Sequence, residues 1–106
     1  MPKYLFTGTY TTEGAKGLLK DGGSKRRQVA ENAMKSVGAK LEHLYFAFGD
    51  NDLYAIIDAP DNATIAAASL AISAAGGVHG KTVTLLTPEE IDQATKKTLT
   101  YTPPGR

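Results

Sequence analysis

No cysteine occurs among the 106 residues, which excludes disulfide frameworks, thiolate zinc sites and thiol nucleophiles. No apolar run approaches the roughly 20 residues that a membrane-spanning helix needs, so no membrane partner is expected. The start, MPKYLFTGTY, lacks a basic segment followed by an apolar one. No secretory signal is read there, and a cytoplasmic location is expected. Histidine is scarce, with only His43 and His79. Neither belongs to an HxxxH pair or any other metal-ligand spacing, so no metal and no cofactor are expected.

Charge of one sign is not in excess overall, at +1, but it is unevenly placed. Residues 1–40 hold eight Lys or Arg against three acids, whereas residues 41–106 hold four against eight. The densest basic cluster, Lys25-Arg26-Arg27, opens a helical pattern. A nucleic-acid surface carries a larger basic excess with aromatics interleaved. A solvated helix face accounts for the cluster, and no nucleic-acid partner is expected. Apolar residues at 42% and charged residues at 22% describe an ordinary folded chain. Its length is that of a single domain, taken here as residues 1–106.

Residues 3–10, rich in aromatic and β-branched types, read as a first strand. Thr11 and Thr12 offer a helix cap, Leu18 and Leu19 are the apolar anchors that follow, and KDGGSK breaks or kinks the helix. Ser24 is the expected cap of the fresh start. Val29, Ala33 and Val37, beside Ala30 and Met34, form one apolar stripe closed by Gly38. Strands follow at 39–48 and 52–58, joined through Gly49-Asp50-Asn51, which favour a tight left-handed turn. Pro60-Asp61-Asn62 starts an alanine-dense helix around Ile65, Leu70 and Ile72 that ends at Gly76-Gly77. A strand over 78–86 and a short helix capped by Thr87 complete the pattern, with an extended tail over about 98–106.

Two βαβ halves joined by a hairpin predict an α+β, ferredoxin-like βαββαβ domain with an antiparallel sheet. Such a sheet covers one face with helices. Both central strands are nevertheless apolar at odd and even positions: Leu44, Phe46 and Phe48 alternate with Tyr45 and Ala47, and Leu53, Ala55 and Ile57 with Tyr54 and Ile56. A patch of that extent is covered when two copies pair their sheets, so a homodimer through the open sheet face is expected.

The stretch FGDNDLYAIIDAPDNATIAAASLAISAAGGV, with TLLTPEE after it and YTTEGAKGLLKDGGSKR near the start, resembles the GYD family of small proteins. That resemblance implies a ferredoxin-like, dimeric α/β-barrel fold. The position of the name-giving tyrosine is Asn51 here, while Gly49 and Asp52 are kept, so no tyrosine role carries over at that turn. The wider barrel superfamily includes cofactor-independent monooxygenases, muconolactone isomerase-like enzymes, haem-handling relatives of chlorite dismutase and ligand-sensing domains. The resemblance implies an architecture rather than one reaction.

Candidate site residues are few. His43 and His79 are the side chains suited to general-base or haem-ligand work, and His79 follows the glycine pair where such folds open a pocket. Tyr10 and Phe6 share one face of the first strand, with Gly8 leaving a gap between them that a ligand could approach. Lys16, Arg26 and Arg27 could hold a carboxylate or phosphate, although the P-loop spacing is absent. Turn and cap chemistry accounts for Asp50, Asp52 and Asp61. The expected function is a small-ligand-binding or regulatory homodimer with an apolar pocket between sheet and helices, its ligand small and apolar or aromatic. The alternatives are a cofactor-independent oxygenase or isomerase using His79 or Tyr10, and a structural assembly protein without a ligand.

Overall fold

Gly22 marks the first structural decision along the chain. In the computed structural model, which describes residues 1–106, its backbone lies at φ +82° and its N–H donates to the Leu18 carbonyl at 2.8 Å. A left-handed residue ends one helix there and starts another at a different angle. The elements are β1 (Lys3–Tyr10), α1 (Thr12–Asp21), α2 (Gly23–Ser36), β2 (Lys40–Phe46), β3 (Leu53–Asp58), α3 (Asn62–Ala75), β4 (Val78–Leu85) and α4 (Pro88–Thr95). Ser24 does not cap α2. Gly22 takes the capping position without any side-chain bond, because its backbone turns the chain two residues before the Ser24 hydroxyl would.

The strands form one antiparallel sheet in the order β2-β3-β1-β4. This is the split βαβ arrangement of the ferredoxin-like fold. The β2–β3 connection is looser than a two-residue hairpin. Residues 47–52 bridge the strands, and none of Gly49, Asp50 or Asn51 adopts a positive φ. With six residues available, the turn closes through the Ala47 N–H and the Asp52 carbonyl at 2.8 Å, and left-handed backbone is not required.

Register divides the side chains between two faces. Opposite residues in a ladder share a face, and the rows through Tyr4, Phe6 and Gly8 meet Ile57, Ala55 and Leu53. These six are buried beneath the helices with Met34, Ala39, Ile65 and Ala68. Each large apolar side chain so covered contributes about 2 kcal/mol. Tyr4 is 1% exposed, yet its hydroxyl is satisfied by donating to Asn62 Oδ1 at 2.6 Å. A bulge between Leu41 and His43 shifts β2 by one residue, so that Leu41, Leu44 and Phe46 all join the helix side. On α3 the spacing of Ile65, Ala68 and Ile72 sets the inward stripe. Leu70, expected to face the sheet, points away and is 71% exposed.

The other face is uncovered. Leu5, Ile56, Val83 and His43 form one row across all four strands, and Thr7, Tyr54, Tyr45 and Lys81 form the next. At one end of this face Lys3 Nζ reaches Asp58 at 2.8 Å and Glu42 at 2.6 Å. Beyond β4 the chain leaves the body: apart from Pro103, every residue from Leu86 onward is exposed. The radius of gyration is 17.1 Å, against about 13 Å for a compact domain of ~100 residues. No helix is long and apolar enough to cross a membrane.

Candidate functional site

Close packing between α1 and the start of β4 places the end of β1. Thr11 caps α1 by accepting from the Gly14 N–H at 3.1 Å. Its own N–H donates to Gly77 O at 3.0 Å and its hydroxyl to Gly76 O at 2.9 Å. The approach is so tight that a Cβ on Gly14 would lie 1.9 Å from the Gly77 carbonyl oxygen. Tyr10, one residue before this knot, is thereby held at the edge of the sheet's helix side.

From there a cavity of about 190 Å³ runs under α2, between helix and sheet. Fourteen of its fifteen lining residues are apolar, Met34, Leu44 and Ile72 among them. Arg26 supplies the single charge. The α2 residues that border it, Ala30 and Ala33 among them, include small side chains that leave space above the sheet. Gly8 adds none: a Cβ there would meet Val78 Cγ1 at 2.7 Å. A second, more open hollow of about 420 Å³ lies between α1 and the 47–52 loop. Tyr10 and Phe46 line both, so these two rings form the partition between an outer groove and the inner cavity.

The polar groups here are few and well defined. The Tyr10 N–H donates to Asp52 Oδ2 at 2.8 Å, and the Asp52 N–H donates to the Gly8 carbonyl at 2.8 Å. Loss of water pushes the Tyr10 hydroxyl above its ordinary range; Arg26 pulls it back and Asp52 adds a smaller push upward. Tyr10 is thus a protonated phenol at neutral pH, able to donate a hydrogen bond. Arg26 Nη1 stands 3.6 Å from Asp21 Oδ2, an ion-pair distance beyond good hydrogen bonding.

Of the seven side chains singled out in the sequence, the structure gathers three, while Lys16 and Arg27 are exposed and outside the inner cavity. Phe6, Tyr10 and Arg26 all line the inner cavity. His43 and His79 lie on the opposite face, exposed: His43 pairs with Ile56 in register and stacks on Tyr45, ring centroids 6.4 Å apart, and His79 pairs with Thr9. No histidine therefore reaches the cavity. Phe46 was not singled out, yet it borders three hollows: the inner cavity, the outer groove and one beside Ser24 and Arg27. Its signal was the bulge, which a sequence does not display. Asp52, read as turn chemistry, also fastens β1. Among all His, Asp and Glu side chains no cluster of three could hold a metal ion.

A Thermus thermophilus protein named glutamine synthetase and cystathionine beta-lyase binding protein is 31% identical over 85 residues, which cover 80% of this chain and 86% of the relative. No solved structure matches the chain significantly. The GYD domain family model matches residues 4–95, from β1 to the last residue of α4. The chain belongs to the GYD domain family.

Proposed function

We propose that this protein is a regulatory binding protein: a homodimer, paired through its open sheet face, that holds a small ligand in the helix-side cavity and docks on partner enzymes. The observation that carries the ligand half is the cavity itself, apolar on nearly every wall and bordered by one guanidinium and one protonated phenol. The name of the Thermus relative, a glutamine synthetase and cystathionine beta-lyase binding protein, supports the partner half. The uncovered rows of β1 to β4 support the dimer, since Tyr45, Tyr54 and Val83 are 67%, 39% and 50% exposed on one contiguous face. A cytoplasmic setting fits this role.

An oxygenase or isomerase needs a base beside its substrate. Both histidines face away from the cavity, and Tyr10 is held in its protonated form. These placements favour binding over catalysis. Native mass spectrometry before and after denaturation tests the proposal, together with surface binding measurements on purified glutamine synthetase and cystathionine β-lyase. A dimer that releases a small molecule on unfolding and binds either enzyme is the expected result. A ligand-free monomer that binds neither enzyme overturns it.

A further inference from the structure

Arg26 occupies a position that helical geometry reserves for an apolar side chain. The inward stripe of α2 runs through Val29, Ala30, Ala33 and Met34, three, four, seven and eight residues after Arg26. Arg26 heads that series and lines the cavity with it. Its side chain is 40% exposed, so the apolar stem lies along the wall while water and Asp21 meet part of the charge. Its neighbours behave differently. Lys25 leans to Asp21 at 3.6 Å, and Arg27 Nε lies 3.6 Å from Glu31 Oε1, on the side of α2 that faces solvent. Asp21 is also the acid nearest to Arg26, at 3.6 Å, and it is shared with Lys25. A guanidinium carries five N–H donors, and one carboxylate at 3.6 Å leaves most of them available at the cavity that Arg26 lines.

We infer that the cavity binds a monocarboxylate whose apolar body is about the size of one substituted ring, with the carboxylate seated on Arg26. This rests on the ligand-binding proposal above and specifies its chemistry. A guanidinium and a carboxylate match as two parallel N–H···O bonds, and the Tyr10 hydroxyl stands nearby as a third donor. A phosphate monoester would bring about two negative charges to a lining that holds one cation. Arg27 cannot supply the second, since it borders a different hollow with Ser24 and Tyr45. For the body, an engineered cavity of about 150 Å³ accepts benzene. The 190 Å³ found here leaves room for a ring with a small substituent.

Isothermal titration of the full-length protein with 4-ethylbenzoate and with its neutral isostere 4-ethylbenzamide tests this. The acid is expected to bind at least tenfold more tightly than the amide. Arg26→Gln should remove that preference by weakening the acid and leaving the amide unchanged, while Arg26→Lys, which keeps charge without the fork, falls between. Ala30→Leu, which fills the cavity, should weaken both probes, and circular dichroism confirms that each variant is folded. Equal affinity of acid and amide for the unaltered protein overturns the carboxylate assignment while leaving the pocket in place. Binding of neither probe, or binding that Ala30→Leu does not disturb, overturns both.

Discussion

The backbone N–H of Tyr10 donates to the carboxylate of Asp52 at 2.8 Å, tying the end of β1 to a loop 42 residues away. The same aspartate donates its own N–H to Gly8 O and accepts from Ala47 through its carbonyl. One residue thus closes the β2–β3 connection and fixes the phenol beside the cavity. Asp52→Ala should destabilise the fold by about 1–2 kcal/mol, because a partly buried N–H loses a charged acceptor. Asp52→Asn keeps an acceptor oxygen and should cost less. Urea unfolding followed at constant slope measures both, and equal midpoints for the alanine variant and the unaltered chain would show the tie to be dispensable.

Two glycines of α1 predict opposite outcomes for the same substitution. A Cβ on Gly14 would meet Gly77 O at 1.9 Å and Tyr10 Cδ1 at 2.9 Å, whereas a Cβ on Gly17 meets nothing within 4 Å. Gly14→Ala must push two backbones apart and should cost more than about 2 kcal/mol. Gly17→Ala should gain about 0.5–1 kcal/mol, since alanine loses less entropy on entering a helix. Thermal unfolding separates them by several degrees in opposite directions. A neutral Gly14→Ala would mean that α1 does not sit against the start of β4.

The strand order and the family were legible because local signals agreed with the global pattern. Thr11, Asp61 and Thr87 each cap the helix that the sequence assigns to them, and the two-sided apolar strands do present two faces. What escaped were features set by tertiary contact. Ser24 is a good capping residue, but Gly22 turns the chain first. Leu70 looks like a core residue by type, yet the 65-68-72 spacing turns it outward. Phe46 reaches the helix side only because Glu42 is the extra residue of a bulge. For the site, strand parity put Phe6 with Tyr10, whereas Arg26 was named for its charge and not as part of the α2 stripe that its spacing extends. The histidines were assigned by chemical aptitude rather than by register, and their register places them on the far face.

Lys3 and Asp61 should each contribute to the pH dependence of stability, at opposite ends of the scale. The hydrogen bond to Asp58, then that to Glu42, raises Lys3 above its ordinary 10.5. A raised folded value means that the contribution is fully present below the unfolded pKa and is lost as pH rises through the higher folded one. Lys3→Met should therefore flatten the fall in melting temperature above about pH 10.4. Asp61 runs the other way: bonds from the Thr64 hydroxyl and N–H hold it below 3.8. Its contribution is present above the unfolded value and disappears as pH drops through the lower folded one. Asp61→Asn, which keeps a capping oxygen without a titrating proton, should shallow the loss below about pH 3.9. Melting curves from acid to alkaline pH check both, and unchanged limbs would remove these groups from the linkage.

Tyr54 offers the sharpest test of the paired sheets. It lies on a central strand, opposite Thr7 on one side and Tyr45 on the other, and its side chain faces away from the core. Tyr54→Lys should leave each protomer folded, since lysine at that position can reach water in a monomer. In a symmetric dimer the same change is made twice, and each copy carries an ammonium into an apolar contact. A cost of about 1.4 kcal/mol per copy raises the dimer dissociation constant about a hundredfold. Leu70→Lys is the control, because Leu70 is also an exposed large apolar residue, at 71% against 39% for Tyr54, but lies on the outer side of α3. Light scattering across a dilution series reads both. Dissociation with Tyr54→Lys and not with Leu70→Lys assigns the interface to the open sheet. Dissociation with Leu70→Lys alone would move the interface to the outer side of α3.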